Sequence, residues 1–419
     1  MLAVARSFEA IAIIGALACG CGQSRANQAT SSGGTTSAGT GGAGATSGAG
    51  GGQGGSAGTG LCADGPIYGH EYRIEGADAA VDIEAFRCVE EITESLVISA
   101  TNLADLGGLE RLRSIGRDLI IGGAEAAAGN ASLASLAGLD ALESVGGALE
   151  IANNPRLGTL QGLQGLRNIG GDVRMYAQST SLAGLGGPLA VAGNFSVWGA
   201  PLEDFVDAES GISIGGKLAL HSNANLTSLE GLDRWEFSGI ELEENPRLST
   251  LAGWSPAADW NGDIKLASNA MLADLSALSS LETLGSLSAA GAHAFADFKG
   301  LSNVRTIDRL EIGGGSMDNV RGFENLTRIE ILDLSFSFIE NFRGLEAVET
   351  LGQLYLLGNE RLVSFEGLEA LQRIDGRIVM LGNGFTQENK DAFALRFGKT
   401  CECPTQVMSC VCSGLCSCQ

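Results

Sequence analysis

The chain has 419 residues, of which 62 are glycine and only 5% are aromatic, and its formal net charge is −23. This acidic balance argues against the basic surface by which proteins neutralise nucleic-acid phosphates, and equally against docking on anionic lipid through a basic patch. The sequence has no D-x-[DN]-x-[DN]-G loop, so a solvated acidic surface explains the charge better than a dedicated cation site does.

Residues 1–18 predict an export signal. Arg6 precedes an apolar stretch over residues 10–18, which is too short to span a bilayer as a helix. The stretch ends in A-L-A-C at Cys19 and resembles a bacterial lipobox, although Ala16 stands where leucine is usual. The resemblance implies acylation of Cys19, with Cys21 as a rival site and an ordinary signal peptide as the alternative.

Residues 19–60 predict a flexible tether. They are nearly all Gly, Ser, Ala and Thr, a composition that cannot bury enough apolar surface to offset its ordering entropy. A G-x-G-x-x-G match at residues 39–44 lies inside this low-complexity segment and is interpreted as coincidence. Since no later run is long and apolar enough for a transmembrane helix, we expect membrane attachment through the lipid alone, at a bacterial outer membrane or cell surface.

A repeat dominates the chain from Leu96 onward. Its consensus is L-x-I-x-x-N-x-x-L-x-x-L-x-G-L, and the starts of successive copies are separated by 22–24 residues with one exception of 30. Residues 124–130 fill that long interval and are predicted to form a surface insertion. The 13 copies start at Leu96, Leu119, Leu149, Val173, Phe195, Leu218, Ile240, Ile264, Leu287, Leu310, Leu332, Leu354 and Ile378.

Each copy predicts one coil of a stacked solenoid. The L-x-I start is typical of a short strand with one buried face, and a single copy cannot bury its own apolar edge, so neighbouring copies must stack. The glycine of L-x-G-L predicts a tight corner or a positive φ. An asparagine five residues after the start predicts a buried amide ladder that bonds the backbone of its own coil and the next, in preference to a ligand site. These asparagines are Asn154, Asn223, Asn245, Asn269, Asn359 and Asn383.

The repeat resembles the receptor L-domain family, the leucine-rich β-helical lobes of insulin- and EGF-type receptor ectodomains that also occur in bacterial surface proteins. A second match begins at Phe86 and continues through Cys88, Ile92 and Leu96 to Ile98. The resemblance covers roughly residues 62–397. It implies a mainly β, right-handed solenoid of about 13 coils over residues 61–400, with a binding role but no particular ligand.

The cysteines of the exported part fall into two groups. The family resemblance implies a disulfide between Cys62 and Cys88 that closes the N-terminal cap. Residues 401–419 are predicted as a Cys-rich tail in which an oxidising exterior favours disulfides over thiolate metal binding, without the sequence choosing the pairs. The tail contains three C-x-C pairs, Cys401/Cys403, Cys410/Cys412 and Cys416/Cys418.

The sequence predicts no catalytic residue, metal site or cofactor. Its three histidines, at positions 70, 221 and 293, form no H-E-x-x-H motif. Residues 211–215 match the G-x-S-x-G of serine hydrolases, but Ile214 and the two glycines after it correspond to a coil corner that other copies share, with no helix following. Glu243 and Glu244 could mimic glycosidase carboxylates, although outward acids occur in every copy.

The outward strand positions predict a binding face. Side chains alternate along a strand, so the first and third residues after the start of each copy should point outward. The first position gives a column of Arg174, Ser196, Ala219, Glu241 and Lys265, and the third gives Tyr176, Trp198, His221 and Glu243. The candidate ligand-binding residues are Arg174, Tyr176, Trp198, His221, Glu241 and Glu243.

These features favour a lipid-anchored surface protein that recognises a protein or a glycan on its strand face. One alternative is a passive structural protein of the envelope, in which the aromatic column only stabilises the sheet by cross-strand stacking. A less favoured alternative is a carbohydrate-active β-helix enzyme, which would need clustered acids with raised pKa values in a groove.

Overall fold

The repeated part of the chain folds as a mainly β solenoid of about 13 turns. The computed structural model describes residues 67–123, 128–176, 181–207, 211–291, 294–314, 317–402 and 410–413, with the backbone alone described over 400–402 and 410–413. The chain divides into two units, Met1–Gly55 and Ser56–Gln419, and every described residue falls in the second. The predicted export signal and the tether, with Cys19 and Cys21, lie outside the described residues.

One long parallel sheet runs through all the predicted copies. Each predicted start residue pairs in register with the start of the next copy, as Phe195 does with Val173 on one side and Leu218 on the other. An additional strand that was not predicted, Tyr72–Glu75, pairs with the strand of the first copy. The strands are Tyr72–Glu75, Leu96–Ser99, Leu119–Gly122, Leu149–Ala152, Val173–Tyr176, Phe195–Trp198, Lys217–His221, Gly239–Glu243, Asp263–Ala267, Thr283–Ala290, Thr306–Gly313, Arg328–Asp333, Thr350–Leu357 and Ile378–Leu381.

A second parallel sheet follows the corners of the earlier coils. Its seven short strands are Ile67–Tyr68, Glu91–Ile92, Ser114–Ile115, Ser144–Val145, Asn168–Ile169, Leu189–Val191 and Ile212–Ile214. Two α-helices are described, Ala79–Glu84 and Gln387–Arg396, and four 3-10 helices, Gly76–Asp78, Leu232–Arg234, Ser276–Leu278 and Lys299–Leu301. Within the described ranges, none of the helices has the length and hydropathy to cross a membrane.

The interior is filled by the repeated aliphatic side chains, among which Leu229 and Leu232 are fully buried. Between them Gly231 has a φ of +99°, and a Cβ added there would lie 2.4 Å from the carbonyl carbon of Phe205. Glycine is therefore required at this predicted corner, both for the positive φ and for the close approach of the Phe205 backbone. A positive φ is also confirmed in the same motif at Gly162, Gly344 and Gly367, whereas Gly300 lies in a 3-10 helix.

The predicted asparagine ladder is confirmed, with a change in which coils it joins. Asn245 Nδ2 donates to the Leu220 carbonyl at 2.9 Å, and its Oδ1 accepts from the backbone N–H of Asn223 at 3.0 Å. Both of these backbone groups belong to the preceding coil, and not to the same coil and the next as predicted. The bond to the following coil is made to a side chain, since Nδ2 also donates to Asn269 Oδ1 at 3.3 Å. The backbone N–H of Asn245 in turn donates to Asn269 Oδ1 at 3.1 Å, so each side chain holds the coil before it.

Asn130 belongs to this ladder, which corrects its assignment to a surface insertion over residues 124–130. It is fully buried, its Oδ1 accepts from the Thr101 backbone N–H at 3.0 Å, and its Nδ2 donates to the Ile98 carbonyl at 3.0 Å. Residues 124–127 lie outside the described residues. The overlooked signal was the N-x-x-L-x-x-L spacing that restarts at Asn130.

The two ends of the solenoid carry different structures. At the N-terminal end Cys88 packs partly buried against the core and is disulfide-bonded. Its predicted partner Cys62 lies outside the described residues, so the identity of this pair stays a prediction. At the C-terminal end the strands Thr400–Glu402 and Cys410–Ser413 pair antiparallel, and Cys410–Ser413 also pairs antiparallel with Ile378–Leu381.

Candidate binding face

The third outward column is continuous in the structure. Tyr176, Trp198, His221 and Glu243 are consecutive Cα partners along the parallel sheet. The Tyr176 and Trp198 rings stack with centroids 4.7 Å apart, and those of Trp198 and His221 with centroids 5.4 Å apart, both at 10° between planes. We name the three rings the ring column. Because each ring stacks on the next along the sheet, both faces of the Trp198 ring are covered by protein.

Glu243 continues the ring column with a carboxylate. Its Oε2 lies 3.5 Å from His221 Nδ1, and its Oε1 forms an ion pair with the Lys265 ammonium. The interaction with His221 is the largest cause that lowers the pKa of Glu243 from its ordinary value of 4.5 to about 2; burial opposes it, and Lys265 adds to the lowering. The carboxylate is therefore held ionised at the end of the rings.

Acidification is expected to remove the stability that this carboxylate contributes. Because the pKa is lowered on folding, the contribution is complete above about pH 5 and is lost as pH falls from about 4.5 through about 2. Glu243→Gln should reduce the free energy of unfolding by on the order of 1–3 kcal/mol at neutral pH. The difference between wild type and variant, measured by urea unfolding at several pH values, should shrink across that window.

The control for this pH series is Glu366→Gln. Glu366 pairs with Arg343 at 2.8 Å, and about half of each side chain is exposed, at 48% for both. Exposed pairs of this kind contribute at most about 1 kcal/mol, so this variant should differ little from wild type at neutral pH. A Glu243→Gln effect that is equally small, or that does not change with pH, would contradict the assignment.

Charged side chains of the first outward column pair with side chains beside it, as Glu241 does with Lys217. Lys217 Nζ lies 3.2 Å from Glu241 Oε1 and 3.3 Å from Asp263 Oδ2. Burial alone would lower the pKa of Lys217, but its pairing with these two carboxylates raises it overall. Two residues of the same column, Ser196 and Ala219, are buried, at 7% exposure each. The face consequently presents charges of both signs beside the rings.

A groove adjoins Arg174 on the same face. Its volume is about 430 Å³, and its polar lining includes Asp118, Glu150 and Asp172, with one Asp172 oxygen 2.5 Å from an Arg174 guanidinium nitrogen. Burial is the largest cause that raises the pKa of Tyr176, and the charge of Glu150 raises it further. The groove and the ring column therefore share one acidic environment. The other lining residues are Ile120, Gly147, Ala148 and Gly171.

Sequence reasoning missed a second aromatic feature. Phe336 lies four residues after the start of its copy, where most described coils carry glycine or a small polar residue with positive φ. Its own φ is +56°, an unfavourable conformation for a bulky residue, and its side chain is 50% exposed. Phe338, 51% exposed, has the Arg361 guanidinium 5.5 Å from its ring centroid. Glycine with positive φ occupies this corner in several other described coils, so a search for glycine at the repeat spacing would have found the position.

The catalytic alternatives gain no support from the geometry. A glycosidase acid needs a raised pKa, whereas the pKa of Glu243 is lowered to about 2. Ser213 of the G-x-S-x-G match lies in Ile212–Ile214, and the strand Lys217–His221 follows it where a hydrolase would have a helix. Within the described ranges, no group of His, Cys, Asp and Glu side chains is placed to hold a metal ion.

The parallel coils, the leucine-rich interior and the corner asparagines together define a leucine-rich-repeat-like β-solenoid. No family model matches the chain, and no curated protein matches it. Among solved structures it is similar to the chain in the crystal structure of a TLR13-ssRNA13 complex, at 17% sequence identity and a TM-score of 0.31. The alignment covers 76% of this chain and 53% of that chain, so this chain matches about half of its length.

Proposed function

We propose that the protein is a lipid-anchored binding protein of the bacterial cell surface, which recognises a partner through the outward face of its long sheet. The ring column carries this proposal, because it lies beside paired charges and the acidic groove on one face. Aromatic side chains are enriched at the centres of protein–protein interfaces, which polar residues surround as a rim. Acylation of Cys19 and a location at the outer membrane are parts of the proposal that rest on the sequence alone.

A protein partner fits this face better than a glycan does. Sugars pack on exposed ring faces, whereas both faces of Trp198 are covered by Tyr176 and His221. The ring edges and the charges of both signs suit a polypeptide surface with complementary charges. The net charge of −23 favours a partner that is basic overall and does not favour a nucleic acid.

The double variant Tyr176→Ala/Trp198→Ala is expected to weaken binding to isolated envelope preparations at least about 30-fold, as for two aromatic hot-spot residues. The measurement compares binding of the folded fraction with the melting temperature of each protein. If the ring column serves recognition, binding falls while melting changes little. A double variant that melts early but binds normally once folded would support the passive structural alternative, in which stacking only stabilises the sheet.

A matched control removes two exposed apolar side chains elsewhere on the solenoid. Met271 and Val363 are 55% and 54% exposed, and Met271→Ala/Val363→Ala should leave both binding and melting close to wild type. Equal loss of binding in both double variants would indicate nonspecific hydrophobic adsorption and would overturn the proposed site.

A further inference from the structure

The register of the C-terminal strands places two tail cysteines opposite each other. Thr400–Glu402 and Cys410–Ser413 form an antiparallel pair in which Cys401 is the Cα partner of Cys412. Directly opposite residues in antiparallel strands have Cα atoms about 4.5–5.5 Å apart. That separation falls within the range of about 4.4–6.8 Å that a disulfide spans. The sequence alone left all pairings of the six tail cysteines open.

We propose that Cys401 and Cys412 form a cross-strand disulfide that locks the C-terminal hairpin. Formation requires a disulfide-bearing oxidant. One cysteine thiolate attacks the oxidant to give a mixed disulfide, and the second thiolate then displaces the oxidant. The protein gains one S–S bond and loses two protons and two electrons, while the S–S bond of the oxidant breaks and its two sulfurs leave as thiols, which are two molecules of glutathione when oxidised glutathione is the oxidant.

The position of the hairpin gives this bond a structural role. Cys410–Ser413 pairs with Ile378–Leu381, the last strand of the long sheet, with Cys412 opposite Ile378. Without that pairing the last strand would present an edge able to pair with another chain. The disulfide ties the covering strand to Thr400–Glu402, which begins after the three residues that follow the helix Gln387–Arg396. The strand Cys410–Ser413 is therefore held on both sides, by Ile378–Leu381 and by Thr400–Glu402.

A metal site is the competing arrangement of these thiols. Two cysteines supply half of the four ligands of a structural zinc site, so such a site would recruit further tail cysteines as thiolates. Disulfide formation and thiolate coordination use the same sulfur atoms and exclude each other. Mass and metal content of the protein therefore separate the two.

The test uses the full chain, refolded with oxidised and reduced glutathione, with free thiols alkylated before digestion without reduction. Cleavage after Glu402, Met408 and Leu415 isolates Cys401 in one fragment and Cys410 with Cys412 in another. We expect these two fragments to be linked, with tandem fragmentation placing the link on Cys412. Cys412→Ser should abolish the linked species, and Cys416→Ser, the control, should retain it.

Several results would overturn the proposal: a link from Cys401 to Cys403, Cys410, Cys416 or Cys418, an alkylated Cys401 in the oxidised protein, or zinc bound at stoichiometry with no link. Stability gives a second measurement. Cys401→Ser, Cys412→Ser and the double variant should lower the melting temperature by the same amount, because each removes the same bond. Additive losses would show that the two cysteines act separately.

Discussion

Leu229→Ala is expected to lower the free energy of unfolding by about 2–5 kcal/mol. The side chain is fully buried among the stacked leucines, so truncation removes apolar contacts and leaves a cavity. Its backbone N–H donates to the Ala252 carbonyl of the next coil at 2.9 Å, and the substitution keeps that bond. The loss therefore reports packing alone, and urea unfolding monitored by circular dichroism measures it.

Leu395→Ala is the matched control for this packing effect. Leu395 lies in the helix Gln387–Arg396 and is 74% exposed, so the same chemical change should alter stability by no more than about 0.5 kcal/mol. Similar losses in the two leucine variants would mean that the buried register derived from the repeat is wrong.

Asn245→Ala is expected to lower the free energy of unfolding by about 3 kcal/mol. The substitution removes the Nδ2 donor of the Leu220 carbonyl and the Oδ1 acceptor of the Asn223 backbone N–H at 3.0 Å. It also removes one of two acceptors of Asn223 Nδ2, which keeps its bond to the Val197 carbonyl at 3.2 Å. Asn223 is fully buried in the ladder, where a polar group left unpaired, such as its backbone N–H, costs about 1–3 kcal/mol. The same urea unfolding measures the loss.

The asparagine control is Asn325→Ala. Asn325 is exposed, and its Nδ2 donates to the Ser302 carbonyl at 2.8 Å at the surface, where water can replace it. Its loss should stay below about 1 kcal/mol. A near-neutral Asn245→Ala would show that the ladder bonds do not support the coils.

The fold was predictable because one repeat unit carries its own strand, corner and ladder. Leu218, Leu229 and Asn223 sit at fixed spacings, and their periodicity alone specifies which residues are buried. The strand Tyr72–Glu75 was missed because its Y-R-I-E sequence lacks the leucine start. Asn130 was misplaced because extra residues separate it from its strand, so a fixed count from the start fails while the later spacing still holds.

Strand alternation was sufficient to predict which side chains of the candidate site share a column, but not their other contacts. Alternation placed Tyr176, Trp198 and His221 in one outward column, and their stacking followed from the spacing of adjacent strands. The salt bridges of Lys217 and the strained corner at Phe336 depend on side chains and loops of neighbouring coils, which no single repeat specifies. The repeat pattern does not specify the chemistry of the partner, because packing in the core does not constrain which residues face outward.

The long interval between Leu119 and Leu149 shows that a corner can lengthen without disturbing the coils on either side, since both residues still pair in register and Asn130 still bonds its neighbours. Single corners are thus sites where additional residues can be inserted at little cost to the free energy of folding. A lineage could diversify its surface by such insertions while the strands stay fixed. The same corner offers an engineer a position for displaying a peptide tag.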